Sequence, residues 1–599
     1  MSLVSYPFDA SMFNQNRKKI RRELLADGSK RLHKKIAVLG GSTTNDIVKS
    51  LEVFLLDNGI EPEFYQSEYN RFWQDAMFEN PELREFAPDI IYIHTSYRNI
   101  ASQLPGPSLD EDGVDALFKS VFEHYRKMWE QLKAVYKCPV IQNNFELPPY
   151  RLMGNRDCYD KAGAVSFISR LNAEFANYAS SGNGFYINDI NYVSASVGLD
   201  KWHDEKAWCM FKYCCAVDVI PYLAFNLSHI IKSLFGKNKK VLALDLDNTL
   251  WGGVVGDDGV EGIEIGEETA AAECFKGFQQ YVKKQKDIGI MLTVASKNDH
   301  ENAIAGLEHP EGVLRPDDFI VIKANWETKD RNLAATASEM DLGIDSFVFA
   351  DDNPTERALV SKSLPGVAVP VMASPDEYIR TIDKNGYFEV TNFSADDIKR
   401  NDMYKANVKR AEHLTEFTDY TEYLLSLDMH AEILPFAPVY IQRITQLTNK
   451  SNQFNLTTKR YTQTEIEQAA SDGKHITLYG KLRDSFGDNG VVSVVIGAIS
   501  GEMCDIELWL MSCRVLKKNM EYAMLDTLVN ECKARGLNRL KGHYFPTAKN
   551  SMVKDLFADF GFEKTGEDGS GNTEWDLDLA NYEPKNNVIK VNDGGNENG

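Results

Sequence analysis

Short apolar runs alternate with amphipathic segments along most of the 599-residue chain. The runs at 34–40 and 90–93 are rich in β-branched residues and end in turn-forming or polar residues, which predicts buried strands. Leu117, Val121 and Tyr125 begin a series of apolar residues at intervals of three and four, as on one face of a helix. This alternation predicts α/β layers built on parallel sheets.

Breaks in the pattern predict how the chain is divided. A polar stretch at 236–240 precedes the very apolar run 241–244, so we expect a domain boundary there. The last residues are polar and rich in glycine, which is typical of mobile segments. The predicted segments are an N-terminal helical arm (1–32), a first α/β domain (33–236), a second α/β domain (237–385), a helical connector (386–430), a third domain of helices and strands (431–580) and a flexible tail (581–599).

Composition narrows the classes of function. The chain has 66 Lys and Arg against 88 Asp and Glu, and its formal net charge of -22 disfavours nucleic acid and anionic membranes as partners. The nine cysteines are odd in number and include no CxxC pair, which indicates reduced thiols. Without a signal-type N-terminus or a run of 18 apolar residues, we expect a soluble cytoplasmic protein.

Two aspartates at the end of an apolar run carry the strongest chemical signal. The run 241–244 leads into Asp245 and Asp247, which places both carboxylates at the carboxyl end of a buried parallel strand. Asp245 can attack a phosphorus atom while Asp247 protonates the leaving oxygen and later activates water. Such crowded anions need a cation, and Mg²⁺ prefers hard oxygen ligands.

Three further sequence motifs that this chemistry needs follow along the chain in the expected order. A predicted strand at 288–295 ends at Ser296, whose hydroxyl can donate to a phosphoryl oxygen. Lys329 opens a predicted helix, where its ammonium adds to the positive helix end in holding an anion. The apolar run 346–350 then delivers Asp351 and Asp352, and Asp352 is the expected metal ligand.

These four motifs together resemble the haloacid dehalogenase (HAD) superfamily, whose pattern is DxDxT, a Ser after a strand, a Lys and an acidic DDxxxE motif. The resemblance implies a Mg²⁺-dependent phosphatase acting on a phosphorylated small molecule. The roles it implies are nucleophile and metal ligand for Asp245, acid/base and metal ligand for Asp247, phosphate binding for Ser296, charge stabilisation for Lys329, and metal ligation for Asp352 with Asp351.

Spacing indicates that this site has no folded cap. Asp245 and Ser296 are 51 positions apart and Ser296 and Lys329 are 33 apart, which leaves little room for an inserted domain. An open site fits a large substrate or closure by a neighbouring domain.

Longer strings of residues at 245–259, 449–458, 484–490 and 512–516 resemble the narrower FkbH group of this superfamily. The resemblance implies three domains: an SGNH-hydrolase-like α/β domain, a capless Rossmann-like HAD domain and a GNAT-like α+β domain. It also implies transfer of a glyceryl group from 1,3-bisphosphoglycerate to an acyl carrier protein, with loss of phosphate, in polyketide or surface-polysaccharide biosynthesis.

The C-terminal segment offers one candidate for a thioester relay. Cys513 is expected at a strand end beside Arg514, whose charge favours a thiolate. The alternative is that Cys513 is a small buried packing residue. The pyrophosphate loop of acetyltransferases is altered here, because both of its glycines are replaced in the run 514–519, which places acetyl-CoA binding in doubt.

The first domain offers a weaker candidate, a serine esterase built on Ser42 and His203. Ser42 follows the first strand as a nucleophile would, and His203 belongs to a DxxH string that begins at Asp200. The alternative is a docking platform. Three interpretations of the function of the whole chain stay open: a phosphatase with acyl transfer, a plain phosphate-monoester phosphatase and a non-catalytic scaffold.

Overall fold

The computed structural model describes residues 3–182, 184–450, 453–512, 515–547 and 550–592. The chain divides into two compact units, Met1–Lys237 with Glu389–Thr391 and Asn238–Phe388 with Asn392–Gly599. Both units are mixed α/β structures with parallel strand pairs. The finer predicted division of the second unit, at 386 and 431, stays a prediction.

Unit 1 is built on a five-stranded sheet in the order β2-β1-β3-β4-β5, with every neighbouring pair parallel. Its central strands are covered on both faces, and all five residues of Ile90–His94 are buried. The strands are β1 (Leu32–Gly40), β2 (Ile60–Gln66), β3 (Ile90–His94), β4 (Val140–Asn143) and β5 (Phe185–Asn188).

Helices form one apolar core on each face of this sheet. The helices are α1 (Ala10–Ala26), α2 (Asn45–Asp57), α3 (Phe72–Met77), α4 (Pro81–Phe86), α5 (Tyr97–Ile100), α6 (Glu111–Tyr136), α7 (Ala164–Ser180), α8 (Ile190–Val197), α9 (Leu199–Trp202), α10 (Glu205–Phe211) and α11 (Ile220–Leu234). Helix α6 buries Val121, Tyr125 and Met128, on the apolar face that the periodicity predicts. Helix α1 packs into unit 1, because Phe13 stacks on Phe54 with ring centroids 4.7 Å apart.

Unit 2 begins with a four-stranded parallel sheet in the order β8-β7-β6-β9. Its strands are β6 (Val241–Leu244), β7 (Met291–Ser296), β8 (Val321–Ala324) and β9 (Phe347–Ala350). Its helices are α12 (Val255–Asp258), α13 (Ala270–Asp287), α14 (His300–Leu307), α15 (Lys329–Glu339), α16 (Pro354–Ser363) and α17 (Tyr378–Lys384). Because β6 pairs with both β7 and β9, the residues that follow these three strands meet at one edge of the sheet.

Three helices come next in the chain: α18 (Ala395–Ile398), α19 (Arg400–Leu414) and α20 (Tyr420–Ser426). The remainder of unit 2 comes after them. A nine-stranded, mostly antiparallel sheet has the order β16-β17-β15-β14-β13-β12-β10-β18, with β11 paired to β14. Its strands are β10 (His430–Leu434), β11 (Phe454–Asn455), β12 (His475–Asp484), β13 (Gly487–Ser500), β14 (Met503–Met511), β15 (Arg539–Tyr544), β16 (Glu563–Glu567), β17 (Thr573–Asp578) and β18 (Lys590–Asn592). The helices among them are α21 (Ile441–Lys450), α22 (Gln463–Ser471), α23 (Met520–Ala534) and α24 (Leu556–Asp559).

The predicted flexible tail, 581–599, is wrong over residues 590–592. These residues form β18, which runs parallel to β10 with Lys590 opposite His430. Ile589 is buried in the core of this region, with Val591 partly buried against it. The polar and glycine-rich composition of the segment outweighed these apolar residues in the prediction. Residues 593–599 lie outside the described residues.

None of the helices in the described part of the chain combines the length and apolar character that crossing a bilayer requires.

Candidate functional site

The carboxyl edge of the four-stranded sheet brings together charged residues from β6, β9 and α15. Asp245 directly follows β6, and its backbone N–H donates to Ala350 O, the last residue of β9, at 3.0 Å. Lys329 opens α15, and its Nζ lies 2.9 Å from Asp245 Oδ2 and 2.6 Å from Asp351 Oδ2. Three residues that are distant in the sequence are thus joined by two ion pairs.

These side chains are removed from water. Residue exposure is 6% for Asp245, 3% for Lys329 and 0% for Asp351. Burial alone lowers the pKa of Lys329, but the charges of Asp245 and Asp351 outweigh it and raise the pKa, so the ammonium stays charged. Burial and the charge of Asp245 raise the pKa of Asp351 to about 6.

Asp245, Asp351 and Asp352 form a group that suits a metal ion. Each offers one carboxylate oxygen, and these oxygens all lie within 4.8 Å of one another. Burial and the charge of Asp245 raise the pKa of Asp352. Three clustered carboxylates match the hard oxygen ligands that Mg²⁺ prefers, so the donor set fits this ion.

Asp247, predicted as a further metal ligand, does not belong to this group among the described residues. Its Oδ1 accepts hydrogen bonds from Trp251 Nε1 at 2.9 Å and from the Val255 backbone N–H at 3.1 Å, and its Oδ2 accepts one from Asn298 Nδ2 at 3.0 Å. Burial raises the pKa of Asp247, which favours the protonated form that a general acid needs. The three donors fix the carboxyl two residues beyond Asp245.

Ser296 ends β7, beside β6, and is 1% exposed. The strand end therefore places it at the same edge of the sheet as Asp245. Its predicted role in phosphate binding stays a prediction.

Sequence reasoning missed two residues that support this edge. Asn298 lies two positions beyond Ser296 and holds Asp247. Arg357 Nη1 donates to Asp351 O at 2.7 Å and to Asp352 O at 2.5 Å, which fixes the acidic loop after β9. The only signal in the sequence was their closeness to recognised motifs, because neither residue has a motif of its own.

The other candidate residues are Ser42, His203 and Cys513, and the first two are not part of the acidic site. Ser42 is 2% exposed, and its Oγ makes no hydrogen bond to the described residues. His203 Nε2 lies 2.9 Å from Leu147 O, and its Nδ1 has no partner among the described residues. Over the described residues, Ser42 and His203 are thus not hydrogen-bonded to each other. Cys513 and Arg514 lie outside the described residues.

Comparison with known proteins places the chain among its relatives. Residues 35–232 match the model of the FkbH N-terminal domain. The chain is 30% identical to the crystal structure of the N-terminal part of BF1531 from Bacteroides fragilis, described as containing a phosphatase domain complexed with Mg. The match covers 63% of this chain and 99% of that chain, with a TM-score of 0.59. The chain belongs to the FkbH family.

The FkbH-family chain is therefore an enzyme, and its second unit contains a phosphatase-type domain of the HAD superfamily. Weaker likenesses involve 25% of the chain. They include the ribosomal-protein-S18-alanine N-acetyltransferase of Escherichia coli (11% identity, 94% of that chain) and Ard1 of Thermoplasma volcanium (16% identity, 97% of that chain), each with a TM-score of 0.20. A TM-score this low establishes no common fold, so the GNAT-like assignment stays a prediction. No curated protein matches the sequence.

Proposed function

We propose that this FkbH-family enzyme removes phosphate from a small phosphorylated metabolite and transfers the activated acyl group of that metabolite to an acyl carrier protein. One observation supports the phosphatase step above all. The buried Lys329 ammonium binds both Asp245 and Asp351, while Asp247, two residues from Asp245, is held separately by three hydrogen-bond donors. The two aspartates of the DxD motif thus occupy different environments.

These environments suit two different roles in one reaction. The Asp245 carboxylate attacks the phosphorus atom, and the bond from phosphorus to the leaving oxygen breaks. Asp247, whose pKa is raised by burial, gives its proton to that oxygen. Asp247 then takes a proton from the water that hydrolyses the aspartyl phosphate. Lys329 and Ser296 hold the phosphoryl oxygens.

The proposed cofactor is Mg²⁺, which Asp245, Asp351 and Asp352 would hold. When bound, the ion would neutralise the crowded carboxylates and the charge of the phosphoryl group. The related BF1531 structure is described as a complex with Mg, which supports this choice.

The proposed substrate is 1,3-bisphosphoglycerate, as the resemblance to the FkbH group implies. Its acyl phosphate is an activated donor for a thiol, and its second phosphate is a monoester for the acidic site. We place the reaction in the cytoplasm and in polyketide or surface-polysaccharide assembly. The eight described cysteines are all free thiols, which supports a reducing compartment. Ser42, His203 and Cys513 stay candidates for the acyl-transfer step.

The decisive test measures phosphate release and carrier loading in the same reaction. The purified protein is incubated with 1,3-bisphosphoglycerate, Mg²⁺ and a candidate acyl carrier protein. Released phosphate is measured, and the carrier is analysed by intact-mass spectrometry. Release with a glyceryl adduct on the carrier supports the proposal. Release without any adduct supports the plain phosphatase, and neither product supports the scaffold.

Asp245→Asn is the matched test of the acidic site. The change removes the nucleophilic charge at nearly constant size, so Mg²⁺-dependent hydrolysis of a simple phosphate monoester should be abolished while the fold persists. EDTA should inactivate the wild-type enzyme, and added Mg²⁺ should restore it. Asp287→Asn is the control, because this exposed aspartate ends α13, at the opposite edge of the sheet. Wild-type turnover by Asp245→Asn, or indifference to EDTA, would refute the assignment.

A further inference from the structure

Helix α1 concentrates positive charge in a chain that is otherwise strongly acidic. It has 17 residues, its Arg and Lys residues all lie between positions 17 and 22, and Glu23 is its single acidic residue. The whole chain has a formal net charge of -22. A local patch of the opposite sign attracts acidic partners and raises their rate of association.

Two of these cations fix α1 against α2. Arg17 Nη2 lies 2.9 Å from Asp46 Oδ1, and Arg17 Nη1 donates to Ser50 Oγ at 3.1 Å. Arg21 Nε lies 2.8 Å from Glu52 Oε2. With the stacked ring of Phe13, these ion pairs make α1 a firmly packed part of unit 1.

The other three cations, Lys18, Lys19 and Arg22, form what we call the outer basic face of α1. All three are exposed, and the helical period places them on the side opposite the buried Phe13. Lys18 and Arg22 have no ion-pair partner within the described part of the chain. Lys19 approaches Glu23 only at 3.9 Å, and these two side chains are 64% and 63% exposed. The outer basic face is therefore open to a partner.

Helix stability does not explain the outer basic face. Lys18 and Arg22 are four residues apart and Lys19 and Arg22 are three apart, and like charges at these spacings destabilise a helix. Cations stabilise a helix when they lie in its last turn, but the last turn of α1 has no basic residue. Binding of an anionic partner supplies the counter-charge that the helix itself lacks.

The position of α1 links this face to the ligand-binding edge of unit 1. Asp46, which binds Arg17, lies in the first turn of α2, directly after the turn that follows β1. Asn14 Nδ2 also donates to Val217 O at 3.4 Å, just before α11. Helix α1 therefore reaches the carboxyl edge of the parallel sheet, where α/β proteins bind their ligands. A protein docked on α1 would lie close to this edge.

We propose that the outer basic face of α1 is the docking surface for an acidic protein, and that its occupant is the acyl carrier protein. The choice of this occupant rests on the function proposed above. Acyl carrier proteins are small, acidic and helical, so their carboxylates complement three clustered cations. A nucleic acid duplex or an anionic membrane extends well beyond the screening distance of about 8 Å, so it would also meet the acidic surface around α1.

The experiment measures the Kd of the full-length protein for a phosphopantetheinylated acyl carrier protein by calorimetry, at low and at high ionic strength. Lys18→Glu/Arg22→Glu should raise the Kd about tenfold or more at low ionic strength, and added salt should reduce this difference. Lys119→Glu/Lys127→Glu is the matched control. It changes the net charge equally at two exposed lysines of α6, which packs on the other face of the sheet, and should keep the wild-type Kd.

A single variant separates binding from folding. Lys18→Glu places a carboxylate four residues before Arg22, which is a favourable pair on a helix. We therefore expect Lys18→Glu to weaken carrier binding while its Tm stays the same or rises. A lower Tm with an unchanged Kd would show that the outer basic face serves the fold and would overturn the proposal.

The remaining outcomes distinguish this surface from the proposed function. Absence of carrier binding by the wild type, or an equal Kd for Lys18→Glu/Arg22→Glu, would overturn the docking surface. So would α1-dependent binding of phosphatidylglycerol vesicles, duplex DNA or a second copy of the chain in place of the carrier. Carrier loading is measured on the same proteins. Loading with α1-independent binding refutes the docking surface alone, whereas α1-dependent binding without loading supports the surface and refutes the transfer step.

Discussion

Glu146 is a buried carboxyl residue of unit 1. Its replacement by Gln should change how the free energy of unfolding depends on pH. The side chain is fully buried, and its Oε2 accepts a hydrogen bond from the Tyr97 N–H at 3.2 Å. Burial, with a smaller contribution from the charge of Cys214, raises the pKa of Glu146 to about 8. Gln keeps the shape and an acceptor oxygen but cannot ionise.

The magnitude follows from the difference between the folded pKa of about 8 and the ordinary value of 4.5. Between these values the folded state keeps a proton that the unfolded state has lost. The free energy of unfolding therefore falls as the pH rises, by about 1.4 kcal/mol per pH unit for this one group. Between these two pKa values the free energy of unfolding should fall by on the order of 5 kcal/mol. Glu146→Gln, which cannot ionise, should not show this fall.

Hydrogen exchange measured by mass spectrometry can follow unit 1 separately from unit 2. Protection of peptides from β3 and β4 is compared between pH 5 and pH 8, after correction for the intrinsic rates. Cys214 titrates with the opposite sign, since its folded pKa is lowered, so the comparison of variant with wild type isolates Glu146. We expect peptides of Glu146→Gln to be increasingly better protected than those of the wild type as the pH rises. The exposed Glu85→Gln is the control, and parallel pH profiles for wild type and Glu146→Gln would refute the reasoning.

Two further predictions concern unit 2. Lys329→Met should abolish hydrolysis of a phosphate monoester and lower the free energy of unfolding by about 3–5 kcal/mol, because it leaves Asp245 and Asp351 buried without their counter-charge. Urea unfolding tests this loss of stability, and an unchanged midpoint would contradict it. A Cβ added at Gly306 would lie 2.9 Å from the Trp251 ring, whose Nε1 donates to Asp247. Gly306→Ala should therefore lower turnover by about tenfold or more while the Mg²⁺ concentration for half-maximal activity stays the same, and unchanged turnover would count against the positioning of Asp247.

Much of the candidate acidic site could be predicted because its information is local. An apolar run followed by a polar residue marks the carboxyl end of a buried strand, and parallel strands deliver these ends to one edge of a sheet. Asp245, Ser296 and Asp351 each directly follow or end such a run. Lys329 was recognisable for a similar reason, since it opens a helix.

Side-chain partners required the tertiary structure. Trp251 and Val255 lie close to Asp247 in sequence, yet nothing in the pattern shows that their N–H groups turn towards its carboxylate rather than leave it for a metal. Strand β18 was missed for a related reason. Its few apolar residues form a strand because β10 offers them an edge with which to pair.

The contact between Cys214 and His94 in unit 1 shows most clearly what could not be predicted from the sequence. The sequence by itself determined the alternation of strands and helices and the acidic motifs, because periodicity and strand ends are properties of neighbouring residues. Only the tertiary structure decided that Cys214 meets His94, which is 120 residues away. Strand order brings β1 and β3 side by side, while Cys214 has no recognised motif of its own. Contacts of this kind depend on packing between distant segments, for which local patterns carry no signal.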